Sequence, residues 1–228
     1  MLSTSFKSVE YDFRFRSPFG ALCMRPTGSG KTQYVLKMLQ NKNQVFDRPP
    51  TRIVFAYAEW QKAYDEMLAV EPKIEFVKNL SDILENDNFF SKAENNLLIL
   101  DDLASAVAES RKASDLFTRG IHHRNVDCLH ICQNIFQQGK SMRNLHLNSS
   151  YMILFKNVRD VAQMKLLAKQ TGQAYSSAAY EKVTASPYEP VIIDLKPNCP
   201  EELRVRNHIL PGQKVRVYTS SGQDVGEN

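Results

Sequence analysis

Cysteine is scarce in this 228-residue chain: Cys23, Cys128, Cys132 and Cys199 are the whole complement. Four such residues make no disulfide framework, and reducing conditions fit them best. Long hydrophobic runs are missing too, so nothing here reaches the length needed to span a bilayer. The opening residues, Met1-Leu2-Ser3-Thr4-Ser5, lack a charged region followed by an apolar core, which argues against a secretory leader. An intracellular, soluble protein without a membrane partner is the expectation. Internal repeats and low-complexity blocks are also absent, and the length suits one globular domain with a large core. Net charge is small, +4, but unevenly spread: residues 111–170 hold ten Lys/Arg against three acids, leaving +7 there and −3 elsewhere. That asymmetry suggests a face that meets a polyanion, although a solvated basic face fits charge alone equally well.

What is present is an alternation of apolar strands and amphipathic helices. Strands are predicted at residues 20–24, 52–57, 96–100, 127–132 and 151–155, with a helix that starts near Lys31 and carries Tyr34, Val35, Met38 and Leu39, and others near 59–70, 113–122 and 162–168. Pro72 ends the second helix, and Ser81 is a candidate cap for a short one. This rhythm implies a mainly parallel central sheet, right-handed crossovers and helices on both faces, a three-layer α/β domain. Residues 1–16 read as an N-terminal extension in which the alternating Tyr11-Asp12-Phe13-Arg14-Phe15-Arg16 forms an added edge strand. The main domain is expected over 17–197, with one more strand at 190–195. Residues 198–228 form a C-terminal extension whose stretch from Ser220 to Gly226 reads as flexible.

The first strand runs into Arg25-Pro26-Thr27-Gly28-Ser29-Gly30-Lys31-Thr32, a phosphate-binding loop of the G-x-x-x-x-G-K-[ST] type in which Arg25 replaces the first glycine. Gly28 and Gly30 allow a tight turn whose N–H groups, with those of Thr27 and Ser29, converge on phosphate oxygens, and the following helix aims its positive end there. Lys31 reaches the β/γ-phosphates of ATP, and the Thr32 hydroxyl has the reach for Mg²⁺. The position of Arg25 at the strand exit affects loop entry more than phosphate contact.

Leu97-Leu98-Ile99-Leu100 ends in Asp101-Asp102, which puts two carboxylates at the carboxyl edge of the sheet beside the loop. Asp101 is the candidate Mg²⁺ holder, directly or through water, and Asp102 the group that polarises an attacking water. Gln133, ahead of its neighbour Asn134, is positioned after the fourth strand to sense the γ-phosphate without adding charge; a plain polar strand end is the alternative. His122-His123-Arg124-Asn125 precedes that strand at the opposite edge. An arginine there serves a neighbouring subunit's nucleotide better than its own, with Arg124 first and Arg119 second.

Cys128, His130 and Cys132 share one side of a strand. Zinc is set aside because no second Cys/His pair with suitable spacing closes a tetrahedral site. Gly139-Lys140-Ser141-Met142-Arg143-Asn144, with Lys156 and Arg159, are candidate loops for gripping a phosphate backbone, and Trp60 reads as a helix anchor.

Taken in order, these segments resemble the genome-packaging ATPases of the FtsK–HerA superfamily, the poxvirus-type group found also in Polinton/Maverick elements and their virus relatives. Carrying the likeness are Thr27 to Thr32, Leu98-Ile99-Leu100-Asp101-Asp102-Leu103, His122 to Asn125 running into Gln133-Asn134, Leu154 to Asp160, and Ile193-Asp194-Leu195-Lys196-Pro197. The resemblance implies an ASCE/RecA-like P-loop NTPase with Lys31, Thr32, Asp101, Asp102 and Gln133 as nucleotide residues and ATP and Mg²⁺ as cofactors. It implies a homo-oligomeric ring of five or six subunits that drives double-stranded DNA into a preformed capsid, with a capsid or portal-vertex protein as partner. Such a motor would work in the host nucleus, at a viral assembly site or in the virion. A small nucleotide kinase and a non-catalytic, nucleotide-stabilised DNA-binding or capsid-assembly module are the competing readings.

Overall fold

The computed structural model describes residues 11–24, 31–132, 140–157, 161–162, 166–167, 175–186, 188–212, 214–219 and 224–226. Six parallel strands build its centre: β1 (Gly20–Met24), β2 (Arg52–Tyr57), β3 (Glu75–Val77), β4 (Asn96–Asp101), β5 (Val126–Cys132) and β6 (Tyr151–Leu154). Four antiparallel strands extend it: β7 (Val191–Asp194), β8 (Val205–Asn207), β9 (Arg216–Tyr218) and β10 (Asp224–Gly226). The sheet runs β10-β9-β8-β7-β6-β1-β5-β4-β2-β3. β1, β4 and β5 are buried along their whole length, as a sheet covered on both faces requires.

Alternate residues of these strands feed two cores. Leu22, Val54, Leu98, Cys128 and Met152 face α4 (Leu80–Glu85), α5 (Ala104–Glu109), α6 (Arg111–Asp115), α7 (Ile121–Arg124), α8 (Lys140–Asn148) and α9 (Ser176–Val183). Ala21, Cys23, Phe55, Ile99, Leu129 and Ile153 face α1 (Lys31–Gln40), α2 (Lys42–Val45) and α3 (Ala63–Val70). The three-layer arrangement expected from the alternation is therefore present. Among the described residues no helix is long and apolar enough to cross a membrane.

Several local expectations are corrected. Tyr11 to Arg16 forms no edge strand: it crosses beneath the strand ends, and only Phe15 makes a bridge, to Phe46. Phe15 is buried against Phe19, Phe46 and Tyr151, while Arg14 lies outside with Asp12. The alternation thus serves a ring cluster and the solvent rather than a sheet edge. Arg16 and Tyr11 turn to Asp194 at the end of β7, where the fully buried Arg206 donates to Asp194 Oδ2 at 3.0 Å.

The helix expected from Glu59 begins only at Ala63, and α4 starts at Leu80 after Asn79, neither Asn79 nor Ser81 capping it by a side-chain bond. The segment Ala113–His122 is not one helix, since a π-helical turn over Leu116–Gly120 separates α6 from α7. Lys140 to Asn144 lies in α8 rather than a loop. Asp224–Gly226, within the stretch expected to be flexible, pairs with β9, and strands from residue 205 onward extend the same sheet.

Candidate nucleotide site

β1 ends at Met24 and α1 begins at Lys31, which gives the strand–loop–helix order that a phosphate loop needs. The loop residues Arg25, Thr27, Gly28, Ser29 and Gly30 lie outside the described residues, and for Lys31 and Thr32 only the helical backbone is described. Their N–H groups belong to the first turn of a ten-residue helix, where helix geometry supplies no intrahelical acceptor and the helix end is positive.

The two carboxylates sit at the carboxyl edge, but not on the strand next to β1. β5 intervenes: Met24 is level with Cys132, and Asp101 is level with Ile131 on its other side. Two inter-strand steps separate the acidic strand from the loop strand by about 10 Å, with the carboxyl end of β5 between them. Gln133 and Asn134 follow Cys132 directly on this intervening strand; both lie outside the described residues.

Asp101 is 2 % exposed and accepts a hydrogen bond from the Tyr64 hydroxyl at 2.9 Å. Asp102 is exposed and holds φ at 58°, in the left-handed region that aspartate tolerates better than most residues. This conformation ends β4 abruptly and turns the chain into α5 within two residues. Hard oxygen donors, the Thr32 hydroxyl and the Asp101 carboxylate, are of the type Mg²⁺ prefers.

Arg124 and Arg119 lie at the other end of the molecule, before β5, and cannot reach their own chain's loop. They share a cleft of about 460 Å³ with Lys112, His123, Asp87 and Asp115. Arg124 Nη2 pairs with Asp87 at 2.7 Å, and Arg119 Nη2 lies 3.7 Å from Asp115. Asp87 is 88 % exposed, so its hold on Arg124 is worth no more than about 1 kcal/mol.

Arg143 and Lys156 are exposed, on α8 and after β6; Arg159 lies outside the described residues. Cys128, His130 and Cys132 are all buried in the core, and burial lowers the His130 pKa to about 4 and pushes the Cys128 thiol up. Trp60 is 46 % exposed and packs on Tyr57, Tyr64 and Phe76. Sequence reasoning missed Tyr64, which sits on α3 with no local signal, and Asp127. The latter is buried at the start of β5, accepts from Ser17 Oγ at 2.6 Å and the Phe19 N–H at 3.1 Å, and is pushed by burial up to about 7.

No protein-family model matches this sequence, and no curated protein matches it either. Solved structures do. The genome-packaging NTPase B204 of Sulfolobus turreted icosahedral virus 2, in complex with ATP-gammaS, superposes with a TM-score of 0.61 at 9 % identity, covering 84 % of this chain and 97 % of that one. The DNA-packaging ATPase B204 of Sulfolobus turreted icosahedral virus gives 0.54 at 13 % identity over 84 % and 97 % of the two chains. The cytoplasmic domain of the type VII secretion ATPase EccC from Thermomonospora curvata gives 0.53 at 15 % identity, covering 82 % of this chain and 25 % of that one. With its loop strand, its intervening strand and its acidic strand in the same sheet, the chain has the P-loop NTPase fold that these genome-packaging and secretion ATPases share.

Proposed function

We propose that this chain is an ATP-hydrolysing subunit of a ring motor that moves double-stranded DNA, packaging a viral or Polinton-type genome into a capsid. The observation that carries the reading is the placement of Asp101 and Asp102 at the carboxyl edge, one strand removed from the strand that leads through Thr27-Gly28-Ser29-Gly30 into α1. The near end-to-end likeness to a packaging NTPase supports it.

In this reading the N–H groups of Thr27 to Gly30 and the Lys31 ammonium hold the phosphates, and Thr32 and Asp101 hold Mg²⁺. Bound there, the cation neutralises charge on the β- and γ-phosphates. Asp102, exposed and turned out by its left-handed backbone, orients and polarises the attacking water, and Gln133 reports the γ-phosphate. Arg124, with Arg119 as second choice, leaves its weak tie to Asp87 and stabilises the transferring phosphoryl group in the neighbouring subunit, a contribution of roughly 10³–10⁵ in rate. Arg143, Lys156 and Arg159 supply sequence-independent contacts to the DNA backbone.

Steady-state ATP hydrolysis with and without long double-stranded DNA tests the proposal, with Lys31→Ala and Asp102→Asn compared at matched oligomeric state. DNA-stimulated turnover lost in both variants is expected. ATP binding without turnover under every condition would reduce the chain to a nucleotide-stabilised assembly module, and product formation only with a small phosphate acceptor would make it a kinase.

A further inference from the structure

Tyr64 is fully buried on α3, its ring packed against Phe55, Tyr57, Trp60 and Phe76 with centroid separations of 4.8 to 5.7 Å. Five rings from β2, β3, α3 and the loop before it thus fix the place of one hydroxyl. That hydroxyl donates to Asp101 Oδ2. The same helix reaches α1, where Gln33 Nε2, two residues after Lys31, donates to Glu66 Oε2 at 2.9 Å. One element therefore touches both the acidic strand end and the first turn after the phosphate loop.

A carboxylate at a strand end rotates about Cβ–Cγ unless something holds it. A donor on one oxygen fixes that rotation and, with it, where the second oxygen lies. Groups that orient a metal-holding side chain in this way commonly change metal affinity by 10- to 100-fold when removed.

We infer that Tyr64 is a positioning residue for the cation: its hydroxyl holds the Asp101 carboxylate in the orientation that receives Mg²⁺ with the nucleotide. The inference rests on the reading of Asp101 as the Mg²⁺ holder and adds a residue and an element to it.

Calorimetric titration with AMPPCP, in EDTA and in Mg²⁺, separates the two ideas because phosphate contacts operate in both solutions and the cation in only one. Tyr64→Phe keeps the ring and removes the hydroxyl; Phe76→Leu disturbs the same ring cluster and keeps it. For Tyr64→Phe the expected result is unchanged affinity in EDTA and an approximately tenfold or greater loss of the tightening that Mg²⁺ gives. Phe76→Leu should retain that tightening. Unchanged tightening in Tyr64→Phe overturns the inference while leaving the nucleotide reading intact. Equal losses in both variants, or a loss already present in EDTA, also overturn it, since ring packing would then be the cause. A wild-type chain that binds no AMPPCP in either solution removes the nucleotide reading and this inference together.

Discussion

Asp127 shows how far a single residue can depart from what its neighbours in sequence suggest. It reads as the first polar position of a strand, yet it is buried, holds Ser17 and the Phe19 N–H, and has its pKa raised to about 7. The unfolded chain ionises this carboxyl near 4, whereas the fold keeps its proton until about 7. Between those values the folded state binds more protons than the unfolded one, so this group's contribution to stability is fully present below pH 4, falls as pH rises to about 7 and is flat above. Asp127→Asn, which stays neutral, is expected to flatten that decline; denaturant unfolding from pH 4 to 8 checks it, the wild-type loss being at most roughly 1.4 kcal/mol per pH unit. Asp101 and Asp102 were legible because an apolar run ending in two carboxylates is a local pattern. Tyr64 was not, since its partner is 37 residues away and the sequence around it says only helix. Nor does Asp102 followed by Leu103 announce a left-handed backbone; the tight exit from β4 into α5 imposes it.

Between residue and fold, the π-helical turn over Leu116–Gly120 has the clearest consequence. The Ile121 N–H donates to the Leu116 carbonyl five residues back, and a Cβ on Gly120 would lie 2.8 Å from Leu116 Cδ1. Gly120→Ala is therefore expected to displace the end of the Leu116 side chain, a cost offset by the roughly 1 kcal/mol that alanine gains over glycine in a helix so that net stability moves by no more than about 1 kcal/mol, and to shift Arg124, one turn onward, relative to Arg119. Thermal unfolding measures the first effect; turnover at matched assembly, lowered with nucleotide affinity kept, measures the second. One extra residue in a turn leaves the apolar periodicity nearly intact, which is why 113–122 reads as a single helix. The parallel strands were legible because each is an apolar run buried on both faces. By contrast β8, β9 and β10 are three residues each, with Arg206, Asn207 and Arg216 among them, too short and too polar to stand out.

At the scale of the whole molecule, the loop-bearing edge and the arginine cleft lie at opposite ends, so on the proposed reading a complete site takes its arginine from a second copy. Mixing Asp102→Asn with Arg124→Ala subunits, each nearly inactive alone, should restore part of the ATP turnover, because some interfaces then join an intact Asp102 to an intact Arg124. No recovery in mixed rings would take Arg124 out of the hydrolytic site and leave it a surface cation paired with Asp87. Order along the sheet was not legible, since nothing in the strand sequences tells which lies beside which; the carboxyl edge was, but not that β5 lies between the loop strand and the acidic strand. The clasp of Tyr11 and Arg16 onto Asp194 joins segments 183 and 178 residues apart. During synthesis the first of these leaves the ribosome long before the second exists. The earliest part of the chain must therefore wait, with Phe13 and Tyr11 uncovered, until Arg206 is made and its guanidinium can lie over both rings. A chain released before that point would have its central sheet, its whole nucleotide edge and the seat of Phe15 on Phe19, Phe46 and Tyr151, but Tyr11 and Phe13 without the guanidinium that lies over them.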